Sequence, residues 1–369
     1  MKTGRDVTKA PLLEVEPYER IAVIGGGAWG TALAILAARA GRQAPLWARA
    51  PGAAEAMAGA RRNARYLPDA ALPEAVTPTG DLAFALAGAD AALLVTPSDA
   101  VREMARRMGP LLSPEAPVIL CAKGIEPGTG LLMTEIVAEE LPGRALGVLS
   151  GPTFAHEAAA GHPTAVTIAS DFPEGAPERA VAARLAVSLG SEAFRPYVSD
   201  DVVGVEVGGA VKNVIAIACG MMTGAGFAEN TRAALISRGM DEMKRLAEAL
   251  GGRRETVTGL SGAGDLTLTC SSTSSRNMSF GVQLGSGKKR EECFGGRPVV
   301  VEGELNAISV TDLARKKGVE MPIAEAVRSI LHEGAGIGET FRALWARPIE
   351  AEPKALDLYI ERRAEEAAR

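Results

Sequence analysis

Lys212 and Asn213 interrupt a largely apolar run, 202–219. A charge there is costly unless it is paired or lines a cleft. Burial can bring a lysine into the range where it exchanges a proton near neutral pH, so Lys212 is the first candidate for acid–base work. A second polar concentration, Gly264-Asp265-Leu266-Thr267-Leu268-Thr269, sets Asp265 and Thr269 four residues apart, on one face of a helix. Asp265 also fits the N-cap of that helix. Ser275, Arg276 and Asn277 follow, able to cap the next helix while offering donors to an anion, and arginine suits bidentate phosphate recognition. Lys123 comes after the apolar run 117–122, and in open α/β sheets that end of a strand faces the ligand crevice.

A different chemistry is written in Gly25-Gly26-Gly27-Ala28-Trp29-Gly30, a G-x-G-x-x-G turn between an apolar run and a helical stretch. Glycines at this spacing allow a tight turn, close approach of backbone to a pyrophosphate and close helix–strand packing. The phosphates then sit on the free N–H groups that open the helix. Gly25, Gly27, Ala28, Trp29 and Gly30 are therefore expected to bind a dinucleotide. At the end of the second strand, Leu46-Trp47-Ala48-Arg49-Ala50 has no acid to accept from a ribose 2′-hydroxyl. Arg49 instead offers a cation to a 2′-phosphate, so the cofactor is NADP or NAD, with Arg49 favouring the former.

These residues need a scaffold. Short apolar runs at 21–25, 44–48, 89–96, 117–122 and 146–150 read as strands, alternating with helical stretches at 29–40, 99–108 and 131–139. That alternation predicts a doubly wound, mostly parallel sheet of Rossmann type. Further strands are expected at 163–170 and 192–197, with a helix at 178–189 between them. After about residue 200 the periodic segments are helical: 206–222, 230–250, 275–284, 302–317, 323–333 and 338–346, with only 299–301 strand-like. The expected organisation is a disordered extension at 1–19, a cofactor-binding domain at 20–200 and an all-α domain at 201–369, the latter with a frayed tail at 361–369. Arg61, Arg62 and Arg65 read as a solvated helix face.

Composition narrows the class. In 369 residues, Lys plus Arg is 40 and Asp plus Glu is 45, a net charge of −5 that argues against a nucleic-acid partner. Four cysteines without a CxxC and three histidines argue against a disulfide scaffold and a metal site. No apolar signal segment opens the chain, and the most apolar stretch, 213–228, is too short to span a bilayer, so a cytoplasmic protein without a membrane anchor is expected. The 42 glycines, about 11% against an average near 7%, mean either linker or places where backbone approaches a ligand.

The segments GGGAWGTALA, KGIEPGTG, SGPTFAHE, GGAVKNVIAIA, RAALISRGM, SGAGDLTLTC, SSRN and VVEG occur in this order between Arg20 and Trp345. Together they resemble the bacterial-type NAD(P)-dependent sn-glycerol-3-phosphate dehydrogenases. The resemblance implies a helical domain like the C-terminal part of 6-phosphogluconate dehydrogenase, and interconversion of dihydroxyacetone phosphate and sn-glycerol 3-phosphate for glycerophospholipid synthesis, by a homodimer. Carried over by motif, Lys212 is the general acid–base group, Lys123 orients the substrate and contacts the cofactor, Asp265 pairs with Lys212, and Thr269 and Asn213 complete the polar set. Ser275, Arg276 and Asn277 hold the substrate phosphate, Gly151 and Thr153 touch the substrate, and Tyr66, Ala155, Arg276, Val300 and Glu302 lie on the cofactor side. A related β-hydroxyacid or 6-phosphogluconate-type dehydrogenase is the alternative, which GAGDLTLTC and SSRN disfavour. His156 is expected to be a structural or cleft-wall residue rather than a base, and Cys270 a small buried hydrophobe.

Overall fold

A computed structural model describes residues 12–350 and 359–360, so the expectations for 1–11 and 361–369 lie outside the described residues. The chain divides into two compact units. Of the described residues, the first takes those up to Thr96 with Ala100–Ala122 and Val137–Val202; the second takes Pro97–Asp99, Lys123–Ile136 and those from Val203 on. A single cut near 200 therefore misplaces two short segments. One of them begins with Lys123, and its companions in the second unit lie far along the chain, where no composition shift marks them.

The first unit is built on eight strands: β1 (Ile21–Ile24), β2 (Ala44–Trp47), β3 (Val76–Thr79), β4 (Ala91–Leu94), β5 (Val118–Leu120), β6 (Leu146–Ser150), β7 (Thr164–Ser170) and β8 (Phe194–Ser199). Their order is β8-β7-β6-β5-β4-β1-β2-β3, and every neighbouring pair is parallel except β6–β7. The central strands IAVI and AALL are buried at every position, as sheets covered on both faces require. The strand β3 escapes the apolar-run criterion because it reads VTPT, and a proline is tolerated only at an edge. A small antiparallel ribbon, Arg62–Asn63 with Leu67–Ala71, is likewise too polar to announce itself. Strand order reverses between β1 and β4, and the helix α1 (Ala28–Arg39) starts just after β1 at that switch point.

Two expectations fail in this unit. Residues 16–19 are docked rather than disordered: Tyr18 is buried, its N–H donates to Ser188 Oγ at 2.7 Å, and the Arg184 guanidinium lies 4.1 Å from its ring centroid. Arg61 is not on a solvated helix face. It ends the helix Ala53–Ala60 with φ 47°, and its guanidinium donates to the carbonyls of Leu72, Pro73 and Val76.

The second unit centres on the helix α2 (Val202–Gly224), buried without a break from Gly204 to Met222. At 23 residues it is long enough to cross a bilayer, contrary to the length argument above, but 89% of its apolar window is buried inside the protein. Around it lie α3 (Glu229–Ala249), α4 (Asp265–Ser271), α5 (Arg276–Gly285), α6 (Glu302–Lys317), α7 (Pro322–His332) and α8 (Ile337–Trp345). A π-helical turn, Leu260–Gly264, leads into α4. The strand-like segment 299–301 is extended but pairs with nothing among the described residues, whereas Ile349–Glu350 and Tyr359–Ile360 form a two-stranded ribbon, so the unit is not wholly helical.

Candidate active site

The glycine turn follows β1. Gly25 has φ 138°, and a Cβ there would stand 2.4 Å from the Val95 carbonyl oxygen. A Cβ on Gly30 would stand 1.8 Å from the Gly25 carbonyl oxygen, so that glycine lets α1 close onto the turn. Gly27 differs: among the described residues no atom lies within 4 Å of where its Cβ would be. Its exposed side opens at the N-terminus of α1, where the first-turn N–H groups of Ala28, Trp29 and Gly30 have no intrahelical acceptor. An open cradle of backbone donors at the positive end of a helix fits a pyrophosphate.

One residue that braces this turn carries no signal in the sequence. The Asn63 amide, buried on the small ribbon, donates to the Gly26 carbonyl at 3.0 Å and to Thr31 Oγ1 at 2.8 Å. The Thr31 hydroxyl in turn donates to the Gly27 carbonyl at 2.8 Å. No motif flags a single asparagine in RRNARY. Arg49 is exposed two residues beyond β2, and Tyr66 is half-exposed with the Arg65 guanidinium 5.0 Å from its ring centroid. Gly151 lies on the turn after β6, where a Cβ would come 2.8 Å from Val166 Cα. The Thr153 hydroxyl is buried without a protein partner, and Ala155 opens the helix Ala155–Ala160.

The second unit gathers the charged candidates. Lys123 Nζ donates to Asp265 Oδ2 at 2.6 Å, and Lys212 Nζ donates to Asp265 Oδ1 at 2.5 Å. Lys212 also donates to Thr269 Oγ1 at 2.9 Å, and the Thr269 hydroxyl lies 3.2 Å from Asp265 Oδ1. Asp265 does not cap α4; Gly264 holds that place, and the carboxylate is left to the lysines. Packing explains the meeting. Gly208 lies one turn before Lys212, and a Cβ there would come 2.9 Å from the Ser261 carbonyl oxygen, so only a glycine lets α2 lie this close to the turn that carries Asp265.

Two ammonium groups share one buried carboxylate, and their protonation diverges. Burial pushes Lys212 down to about 8; Asp265 opposes that shift, and the nearby Lys123 charge adds to it. Burial also presses Lys123 downward, but Asp265 outweighs it and holds Lys123 above the ordinary lysine range. Burial would raise the Asp265 carboxyl, but Lys123 and Lys212 overcome this and keep it below its usual range. Lys123 is thus a standing cation, and Lys212 is the member able to give and take a proton near neutrality.

Beside this cluster, the buried amides of Asn213 and Asn277 are joined: Asn277 Nδ2 donates to Asn213 Oδ1 at 2.9 Å. Asn213 Nδ2 donates to Glu302 Oε2 at 3.0 Å, and the Gly303 N–H donates to Asn277 Oδ1 at 2.9 Å. Ser275 caps α5, its hydroxyl accepting from the Met278 N–H at 3.2 Å. Arg276 is half-exposed, 3.9 Å from Glu302 Oε1, and Val300 is exposed on the segment before α6. His156 is exposed and stacks on Phe154, while Cys270 is fully buried. Glu206 breaks the same apolar run as Lys212, a signal present in the sequence. Burial pushes its carboxyl up to about 7, against the Thr134 N–H at 2.9 Å and the Thr134 hydroxyl at 2.5 Å, both of which donate to it. That contact fastens the segment of Lys123 to α2.

Comparison with known proteins agrees with this arrangement. Residues 20–176 match the family model for the NAD-dependent glycerol-3-phosphate dehydrogenase N-terminus, and residues 201–342 the model for its C-terminus. A glycerol-3-phosphate dehydrogenase (NAD(P)+) of Parvibaculum lavamentivorans is 50% identical over 335 residues, 91% of this chain and 98% of the relative. One from Rhodospirillum rubrum is 47% identical over 334 residues, 90% of this chain and 94% of the relative. The crystal structure of glycerol-3-phosphate dehydrogenase from Coxiella burnetii superimposes with a TM-score of 0.82 at 40% identity, covering 90% of this chain and 99% of that one. With the glycine turn, the paired lysines and the two matched domains in their expected order, the chain belongs to the NAD-dependent glycerol-3-phosphate dehydrogenase family.

Proposed function

We propose that the chain interconverts dihydroxyacetone phosphate and sn-glycerol 3-phosphate, with Lys212 as the general acid–base group. The observation that carries this reading is the pairing of Lys212 and Lys123 on Asp265, which leaves one lysine poised and the other permanently charged. In the reducing direction hydride adds to the carbonyl carbon, the C–O π pair moves onto oxygen, and Lys212 Nζ gives its proton to that oxygen. In the oxidising direction the neutral amine takes the hydroxyl proton. Asp265 and Thr269 hold Lys212 in place in both forms. Lys123 offsets negative charge growing on the substrate oxygen, worth more in a buried setting than in water. Ser275, Arg276 and Asn277 bind the phosphate, and Asn213 assists at the substrate.

The cofactor, bound at Gly25, Gly27, Ala28, Trp29 and Gly30, supplies or accepts the hydride. Arg49, exposed beyond β2, favours NADP by offering its guanidinium to a 2′-phosphate. The same reading includes a cytoplasmic homodimer whose product feeds glycerophospholipid synthesis. Steady-state kinetics with NADPH and NADH, comparing dihydroxyacetone phosphate with 2- and 3-oxo acids, test it. Turnover is expected with dihydroxyacetone phosphate, with the lower KM for NADPH; turnover of the acids alone would overturn the assignment.

A further inference from the structure

We infer that Glu302 is a positioning residue: with the neighbouring Gly303 N–H it locks the amides of Asn213 and Asn277 in one orientation, leaving a free N–H on each for an anionic substrate. The inference rests on the substrate reading above and adds to it how two amides, each able to flip end for end, are held. A carboxylate only accepts, so Asn213 must turn Nδ2 to Glu302, as it does at 3.0 Å. A backbone N–H only donates, so Asn277 must turn Oδ1 to Gly303, as it does at 2.9 Å. Between these ends Asn277 Nδ2 meets Asn213 Oδ1 at 2.9 Å, a donor facing an acceptor. Both ends impose the same polarity, and flipping either amide would set oxygen against oxygen or donor against donor.

Two further observations point to a ligand. Both asparagines are buried, and each NH2 group uses only one of its two hydrogens among the described residues. A buried donor left unpaired is costly, so these two suit an acceptor that arrives with the substrate. The seating is also specific: a Cβ on Gly303 would stand 2.5 Å from the Asn213 carbonyl oxygen, so the start of α6 lies directly against α2 at Asn213. One residue pair, Glu302-Gly303, thereby provides both ends of the lock. The other Glu302 oxygen lies 3.9 Å from the Arg276 guanidinium.

The variants Glu302→Ala and Glu302→Gln, with KM measured separately for dihydroxyacetone phosphate and NADPH, test this. Glu302→Ala removes one end of the lock, leaving Asn213 held only through Asn277 and Gly303, and is expected to raise KM for dihydroxyacetone phosphate about tenfold. Glu302→Gln can still turn an amide oxygen to Asn213 and is expected to keep the substrate KM within about threefold of the parent. A rise confined to KM for NADPH would assign Glu302 to the cofactor and overturn the inference. An unchanged substrate KM in Glu302→Ala, or a tenfold rise in Glu302→Gln, would overturn it equally, the second by showing that charge rather than orientation matters. Failure of the parent enzyme to turn over dihydroxyacetone phosphate would instead remove the substrate reading, and this inference with it.

Discussion

The glycine turn of the first unit and the lysine cluster of the second are built by opposite means. The turn offers backbone N–H groups and keeps side chains out; its conformation follows from a few adjacent residues, steadied by Asn63. The cluster is made of side chains, three of them charged and packed within hydrogen-bond reach of one another. A backbone cradle is pre-formed at little electrostatic cost, because its donors are the ends of a helix dipole. Two ammonium groups on one carboxylate cost much more to desolvate, and that cost is what moves the Lys212 proton into a usable range. Recognition of a cofactor needs the first kind of site, and proton transfer needs the second.

This contrast can be broken at either end. The largest effect is expected from Lys212→Ala, which removes the only group of the cluster that exchanges a proton near neutrality. Its kcat should fall about 1000-fold, while NADPH binding followed by fluorescence stays unchanged. Undiminished turnover would separate the cluster from the chemistry. Next comes the pair Gly30→Ala and Gly27→Ala. A methyl at Gly30 meets the Gly25 carbonyl, so calorimetry should show a loss of about 3 kcal/mol. A methyl at Gly27 meets nothing in the protein, so the melting temperature should hold while the cofactor Kd rises about tenfold. Equal losses of stability would erase the distinction between the glycine that shapes the turn and the glycine that faces the ligand.

The smallest effect is a pH dependence, and its sign follows from the role of Lys212. Ketone reduction needs the protonated lysine, so its kcat/KM should fall as pH rises through about 8. Alcohol oxidation needs the neutral amine, so its kcat/KM should rise through the same pH. Profiles for the two directions with the same slope would contradict a single group serving as acid one way and base the other.

Much of the scaffold was legible along the chain. The helix Glu302–Lys317 falls where its periodicity puts it, and the central strands lie within the short apolar runs that announce buried β-structure. What escaped was polar or at an edge: the strand Val76–Thr79, the ribbon that carries Asn63, and the docked residues 16–19. These elements are specified by partners rather than by their own pattern. Lys212 stands out because a charge in an apolar helix demands an explanation, and Glu206 breaks the same run. The glycine excess likewise resolved into places of close approach, at Gly30 and Gly208 above all.

The sequence by itself determined the glycine turn, because its conformation depends chiefly on glycines within six residues of one another and on the strand and helix that flank them. It also supplied the residue types for acid–base chemistry, each with a local reason to be noticed. Only the tertiary structure decided that Lys123 and Lys212 meet on one carboxylate, from positions 142 and 53 residues away along the chain. It decided as well which lysine keeps its proton and which can yield it. Burial and the charges alongside set that difference, and neither is a property of a residue or of its neighbours in sequence.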